Sequence, residues 1–248
     1  MEREKVTAVV LAGGSGKRMG SDIPKQYLPI DGRPVLYYSL KAFEDCPLVD
    51  EIVLVVGKGE TDSCMEHMVK PWNMRKVRRA VEGGRERYHS VREGLKAVEK
   101  ADYVLIHDGA RPLLTDRIIR DSVESARMFG ACVAAMPVKD TIKVADAEGF
   151  AAETPDRSTL WLMQTPQSFS CSLIRKAYDM LAQAEAAGGP DWERLHITDD
   201  AMVAETFLKM KVKLISGDYS NIKITTPEDL IVAETLLKSR KNGNNLKK

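Results

Sequence analysis

An α/β protein with an open, doubly wound, mostly parallel sheet is the fold this sequence predicts, and three observations predict it. β-branched apolar runs alternate with segments of helical periodicity as far as residue 138. That βαβαβα order is how a parallel sheet covered on both faces is built. The unusual chemistry collects in the loops at 12–25, 83–90 and 108–112, each of which follows a run of strand character. In such sheets, ligands bind outside the carboxyl ends of the strands.

The elements follow in order. VTAVVLA (6–12) is β-branched and runs into glycines, as a buried strand does. RPVLYYSLKAFED (33–45) has helical spacing, with Leu36, Leu40 and Phe43 on one side and Pro34 near its start. DEIVLVVG (50–57) is the next buried strand, and a helical stretch around 60–70 follows it. RERYHSVREGLKAVEK (85–100) is a clear helix, and DYVLIHDGARP (102–112) is a strand running into a loop. TDRIIRDSVESARMFG (115–130) opens on Thr115 as an N-cap and closes on Gly130. ACVAAMPV (131–138) is another strand. Residues 139–165 break the rhythm with short alternating runs around Gly149, and predict a β-hairpin arm projecting from the domain, a frequent dimerisation device. A helix (172–187), a Gly-Gly-Pro loop, a short helix from ITDDAMVAE, a strand KVKLISG (211–217) and a last helix (227–239) complete the chain. One domain over 1–240 is expected, with a flexible basic tail at 241–248 and no internal repeat or linker.

Composition narrows the function. The 248 residues are 44% hydrophobic and 29% charged, enough apolar material for a full core. Lys+Arg (37) and Asp+Glu (36) cancel to a formal net charge of +1. A nucleic-acid binder would more often carry a basic face, so neither nucleic acid nor a membrane surface is expected as a partner. Cys46, Cys64, Cys132 and Cys171 are scattered, which fits neither a zinc site nor a disulfide framework. The N-terminal MEREKVTAVVLAGG is charged and its apolar run is short for a secretion signal, so a cytoplasmic location is expected.

The stretch LAGGSGKRMGSDIPKQ (11–26) crowds glycines and cations behind the first strand. A Walker loop needs G-x-x-x-x-G-K-[ST], but Leu11 stands five before Gly16, and Arg18 follows Lys17. A dinucleotide fingerprint needs G-x-G-x-x-G; Gly14 and Gly16 fit, but Met19 holds the third position. That reading also leaves Lys17, Arg18 and Lys25 without a use, whereas a triphosphate recruits cations. In EGGRERYHSV (82–91), Gly83 and Gly84 permit backbone contact with a base, and Arg87 or Ser90 can hydrogen-bond it; the same pattern also describes a solvated helix start. In HDGARP (107–112), Asp108 ends a strand beside Gly109 and Ala110, which leave space. Its carboxylate suits Mg²⁺, the usual companion of a triphosphate, or serves as a turn residue. Arg111 can hold a second phosphate by its fork. His107 reads as a packed histidine, and no histidine has a nucleophile partner.

The pattern L-A-G-G-x-G-x-R-M-G followed by P-K-Q resembles the signature of nucleotidyltransferases that attach a nucleotide to a sugar or polyol phosphate. Together with GGRER, HDGARP, PVKDTIK (137–143), TPDRSTLWLMQTPQSF (154–169), ITDDA (197–201) and NIKITTPED (221–229), it closely resembles the 2-C-methyl-D-erythritol 4-phosphate cytidylyltransferase family over about residues 6–237. The resemblance implies a Rossmann-like sheet of the nucleotide-diphospho-sugar transferase type, CTP as donor, a polyol phosphate as acceptor and Mg²⁺ as cofactor. It implies that Arg18 and Lys25 stabilise the transition state at the α-phosphate. Ala12, Gly13, Gly14, Gly16, Lys25, Gly84, Arg85, Ser90, Asp108 and Ala110 fall on the nucleotide side. Asp108, which would also meet the metal, Arg111, Thr141, Arg157, Thr165 and Lys223 fall on the acceptor side, with Arg157 and Lys223 as catalytic positioners. Arg85 stands where some relatives carry Asp or a small residue, so only its backbone contact transfers. Thr141 and Arg157 lie on the arm, and the resemblance implies a homodimer in which they reach the neighbouring subunit's site. The nearest rival is a ribitol 5-phosphate cytidylyltransferase, which would share the glycine loop and PKQ but not the PDRSTLWLMQTPQ stretch. A non-catalytic nucleotide-binding regulator would predict a spoiled cation set, and a Rossmann oxidoreductase would need the missing third glycine.

Overall fold

A computed structural model describes residues 3–14, 20, 23–189, 192 and 194–245, with side chains as far as 241. Strand β1 (Val6–Leu11) is buried on both faces, as its apolar run requires. Two short strands, β2 (Pro29–Ile30) and β3 (Arg33–Pro34), form a small hairpin before helix α1 (Val35–Asp45). Strand β4 (Glu51–Val56) leads to α2 (Thr61–Cys64), which continues as a π-helical turn, and then to β5 (Val77–Glu82). Helix α3 (Arg87–Ala97), β6 (Tyr103–Asp108), α4 (Asp116–Phe129) and β7 (Ala131–Pro137) follow. The expected caps of α4 are present: the Thr115 hydroxyl accepts from the Ile118 N–H, and Gly130 turns left-handed at φ 77°.

The hairpin expected around Gly149 is β8 (Val144–Ala145) with β9 (Ala151–Glu153), and it pairs with no strand of the main sheet. The stretch expected as one arm, 139–165, nevertheless divides. From Trp161 onward it is β10 (Trp161–Ser170), which enters the sheet antiparallel between β6 and β7. The sequence hides this strand because Gln164, Thr165, Gln167 and Ser168 are polar yet at most 8% exposed, and Pro166 interrupts the run. The register shifts between Met163 and Gln167, the irregularity that lets a central strand carry proline. Helices α5 (Cys171–Ala187) and α6 (Asp200–Leu208), strand β11 (Lys213–Ser216) and helix α7 (Pro227–Asn245) close the chain, α7 running past the expected end at 239.

The main sheet has the order β11-β7-β10-β6-β1-β4-β5, and among its seven strands β10 alone runs antiparallel. Alternate residues of β1 feed two cores, as a period of two dictates. Val6, Ala8 and Val10 pack with α1, α2 and α4; Val9 packs with α3, α5 and α6. A third cluster joins Ile30, Leu113 and Ile224 to Ala233 and Leu237 of α7. Register brings the strand ends level: Leu11 of β1 faces both Val55 of β4 and Asp108 of β6. Four connecting loops therefore open on one edge of the sheet.

Helix α3 lies close to that sheet through Gly94. A Cβ there would stand 2.5 Å from Val9 and 2.9 Å from Val55. Gly94→Ala is expected to gain helix propensity but lose more to overpacking, lowering stability by about 1–2 kcal/mol in denaturant titration.

Candidate active site

The level strand ends frame a cavity of about 420 Å³, within the ordinary range for a small-molecule site. Its floor is backbone. Ala12 N–H donates to Val55 O and Gly83 N–H donates to Val56 O, so the first glycine loop and the Gly83-Gly84 loop are both pinned to the end of β4. Gly13 is required by this closeness, because a Cβ would stand 2.9 Å from the Val56 carbonyl oxygen. Gln26, 3% exposed, donates its amide to the carbonyls of Ala12 (2.5 Å) and Gly14 (3.1 Å). The last residue of PKQ thus shapes the glycine loop, while Lys25, opening the short turn Lys25–Tyr27, lines the cavity. Across the cavity, Ser90 Oγ accepts from the Gly84 N–H at 3.1 Å and fixes that loop from the first turns of α3.

The structure brings together Ala12, Gly13, Gly14, Lys25, Gly84, Arg85, Ser90, Asp108, Ala110 and Lys223 on the cavity wall. Gly16 and Arg18 lie outside the described residues. Arg111 and Thr165 sit behind the wall. Thr165 is buried, and its hydroxyl lies between the Asp108 N–H (3.1 Å) and His107 Nδ1 (2.9 Å), so it props Asp108 from below. Thr141 and Arg157 are exposed on the arm and do not line the cavity; Arg157 donates to the Lys139 carbonyl at 2.8 Å. The Arg85 side chain is exposed and stands 3.6 Å from Glu86.

Asp108 is the electrostatic centre. Arg87 Nε stands 3.2 Å from Oδ1, Lys223 Nζ 2.9 Å and Arg111 Nε 3.7 Å from Oδ2. Burial alone would raise this carboxyl, but Arg87, Lys223 and Arg111 together outweigh it and hold Asp108 far below the usual carboxylate range. Lys223 arrives there because Ile224 N–H donates to Ala110 O at 2.8 Å, stitching the 221–226 loop to the end of β6. Arg111 is anchored by the Asn221 carbonyl at 2.8 Å, and burial pushes its pKa down. Arg87, read from the sequence as one of two candidates to meet a base, instead spends its guanidinium on Asp108 and on Asp200, at 2.9 and 2.8 Å. Asp200 lies in the ITDDA motif, but no pattern in the sequence joins it to an arginine 113 residues away.

The described residues contain no group of three or more His, Cys, Asp or Glu side chains that could cage a metal. Mg²⁺ carried on a triphosphate needs only one or two carboxylates beside phosphate and water, and Asp108, on the cavity wall, supplies one. The four cysteines are free and buried, and no helix of the described residues is long and apolar enough to cross a membrane.

Glycine loops beside a lysine-lined cavity, at the carboxyl ends of a doubly wound sheet, suit a nucleotide phosphate, and the family match makes the chain a nucleotidyltransferase. The family model of 2-C-methyl-D-erythritol 4-phosphate cytidylyltransferase matches residues 6–239, and the chain belongs to that family. It is 50% identical to the 2-C-methyl-D-erythritol 4-phosphate cytidylyltransferase of Lachnospira eligens over 94% of this chain and 99% of the relative. It is 47% identical to that of Lachnoclostridium phytofermentans over 96% and 99%. Among solved structures, the 4-diphosphocytidyl-2C-methyl-D-erythritol synthase of Anaerococcus prevotii superposes with a TM-score of 0.79 at 33% identity, over 95% of this chain and 96% of that one.

His107 is fully buried, and desolvation lowers its pKa from 6.5 to about 3, with Arg111 adding to the fall and Asp108 opposing it. The unfolded chain takes up this proton below about pH 6.5, while the folded chain refuses it until about pH 3. This group's share of stability is therefore complete above 6.5 and lost as pH falls toward 3. Between pH 6.5 and 5 the loss is about 2 kcal/mol. His107→Gln is expected to flatten the dependence of unfolding free energy on pH by that amount, measured by urea titration at both pH values.

Proposed function

We propose that this protein condenses CTP with 2-C-methyl-D-erythritol 4-phosphate, giving 4-diphosphocytidyl-2-C-methyl-D-erythritol and pyrophosphate, a step in isoprenoid precursor synthesis. The observation that carries the proposal is the cavity itself, in a chain of this family: two glycine-bearing loops, Lys25, Lys223 and an ionised Asp108 all line it. An oxygen of the acceptor phosphate attacks the α-phosphorus of CTP in line. A new P–O bond forms, the bond to the bridging oxygen of the β-phosphate breaks, and pyrophosphate leaves. The attacking phosphate is already ionised near neutral pH, so no general base is needed. His107, the histidine nearest the strand end, is buried and neutral, which accords with that.

Catalysis is then positioning and neutralisation of developing charge. Lys25, with Arg18 on the same loop, acts at the α-phosphate. The backbone of Gly13, Gly84 and Arg85 and the Ser90-braced turn receive the nucleotide. Lys223 and Arg111 serve the acceptor phosphate, and Thr165 contributes by fixing the Asp108 backbone. Mg²⁺, held by Asp108 and the phosphates, would supply charge neutralisation. Arg157 and Thr141 belong to the arm of a neighbouring copy in a homodimer. Their absence from this chain's own cavity and the exposed Ile142, Val144 and Phe150 on the same arm support that reading. Four unpaired thiols accord with a cytoplasmic site of action.

The direct test is pyrophosphate release by purified protein with CTP and Mg²⁺, comparing methylerythritol 4-phosphate with ribitol 5-phosphate. Strong preference for the first is expected; turnover with the second alone would discard the acceptor assignment. Lys25→Ala should lower kcat about a hundredfold and change KM for CTP far less. The opposite proportion would make Lys25 a ground-state binder. Mixing the Lys25→Ala and Arg157→Ala proteins after partial unfolding should restore up to about a quarter of wild-type activity, because half the dimers then carry one intact shared site. No recovery would place both residues in one subunit's site.

A further inference from the structure

Asp200 has no part in the reading above, yet it is the carboxylate most deeply built into the site's surroundings. It is 0% exposed. Its two oxygens take the fork of Arg87, and Oδ1 also accepts the Tyr178 hydroxyl at 2.6 Å. Its own backbone N–H, with that of Ala201, donates to Gln167 Oε1, each at 2.9 Å. Three elements thus hold Asp200: β10 through Gln167, α5 through Tyr178, and α6, which it begins. Arg87 crosses from this support to the cavity, where one remaining N–H, at Nε, meets Asp108 Oδ1 at 3.2 Å.

A buried Asp–Arg–Asp arrangement is a poor device for stability alone, since apolar packing of the same volume commonly does as well. What the arrangement does accomplish is geometric. A guanidinium gripped end-on by Asp200 is held in one place at the cavity wall, which it lines. Its Nε–H then points at Asp108 Oδ1 in a fixed direction, and that bond turns the Asp108 carboxylate so that Oδ2 faces Lys223. We propose that Asp200, acting through Arg87 and seated by Tyr178, is a positioning residue for the transfer step: it fixes Arg87 at the cavity wall and so sets the orientation of Asp108. The proposal rests on the cytidylyl-transfer reading.

The test compares wild type with Asp200→Asn and Tyr178→Phe, using CTP and whichever acceptor the wild type turns over. Asparagine keeps the shape but turns an amide against the guanidinium, so the fork is lost. Phenylalanine keeps the ring and removes one bond to Asp200. Rates are corrected for the folded fraction from thermal melts, and CTP affinity is measured separately by calorimetry. Asp200→Asn is expected to lower kcat by about 10- to 100-fold, as small misplacements of reacting groups do. KM and calorimetric affinity for CTP should stay within about threefold, the split expected when only the transition state loses support. Tyr178→Phe should lower kcat a few-fold in the same pattern. Unchanged kcat in the folded Asp200→Asn protein, or a loss confined to KM, would overturn the proposal. If Asp200→Asn does not fold, Tyr178→Phe decides: a kcat loss with CTP affinity retained supports the role, and wild-type kcat refutes it. A wild type inactive with either acceptor would instead refute the functional reading itself.

Discussion

The ionised carboxylate of Asp108, buried at the end of β6 and faced by Arg87, Lys223 and Arg111, is the constraint on which the site depends. A charge in that position is tolerable only because cations come to it. Each cation comes from a different part of the chain: the start of α3, the loop after β6, and the loop before α7. One carboxylate therefore draws two distant segments, the start of α3 and the loop before α7, to the end of its own strand, where Arg111 is already its near neighbour in the chain. The cavity inherits its shape from that convergence and its cationic character from the same residues.

The support behind Asp108 is polar, which is unusual for a sheet interior. β10 runs between β6 and β7 carrying Gln164, Thr165 and Gln167, and each has found a role as a fastener. Gln164 holds the backbone of Asp218, Thr165 holds Asp108, and Gln167 holds the start of α6. Asn221 reaches back to the Thr165 carbonyl at 2.9 Å. Buried polar groups cost free energy unless paired, and a network of such bonds, here with Asn221 Oδ1 left without a partner among the described residues, favours one arrangement of its elements. Here it specifies how the loops that carry Lys223 and Asp200 sit against the strand that carries Asp108.

The glycine loop follows a different rule. The Ala12 N–H is held by Val55 of β4, and the Ala12 and Gly14 carbonyls accept from the Gln26 amide, so the start of the loop is fixed beside the cavity. Lys25 stands next to Gln26, which makes PKQ a single device: one side chain braces the loop and its neighbour supplies charge at the cavity. A protein of nearly zero net charge can in this way present a cationic site, since the charge is gathered locally rather than spread over the surface.

The parallel part of the sheet, the caps of α4 and the buried His107 were legible in the sequence, because periodicity and turn residues act within a few residues of themselves. The cavity-lining set was legible for the same reason: Gly13, Lys25, Gly84 and Asp108 each end or follow a strand, and strand ends in a parallel sheet share an edge. β10 escaped, because its burial rests on polar partners contributed by α6 and the 218–221 loop rather than on an apolar pattern of its own. The sequence offers Arg87 only as one of two candidates to meet a base or as part of a solvated helix start, because nothing local announces Asp200. Local sequence thus determined which segments carry the chemistry. Only the tertiary structure decided which charges meet, because an ion pair between residues 87 and 200 depends on the packing of α3, β10 and α6 and leaves no periodic trace along the chain.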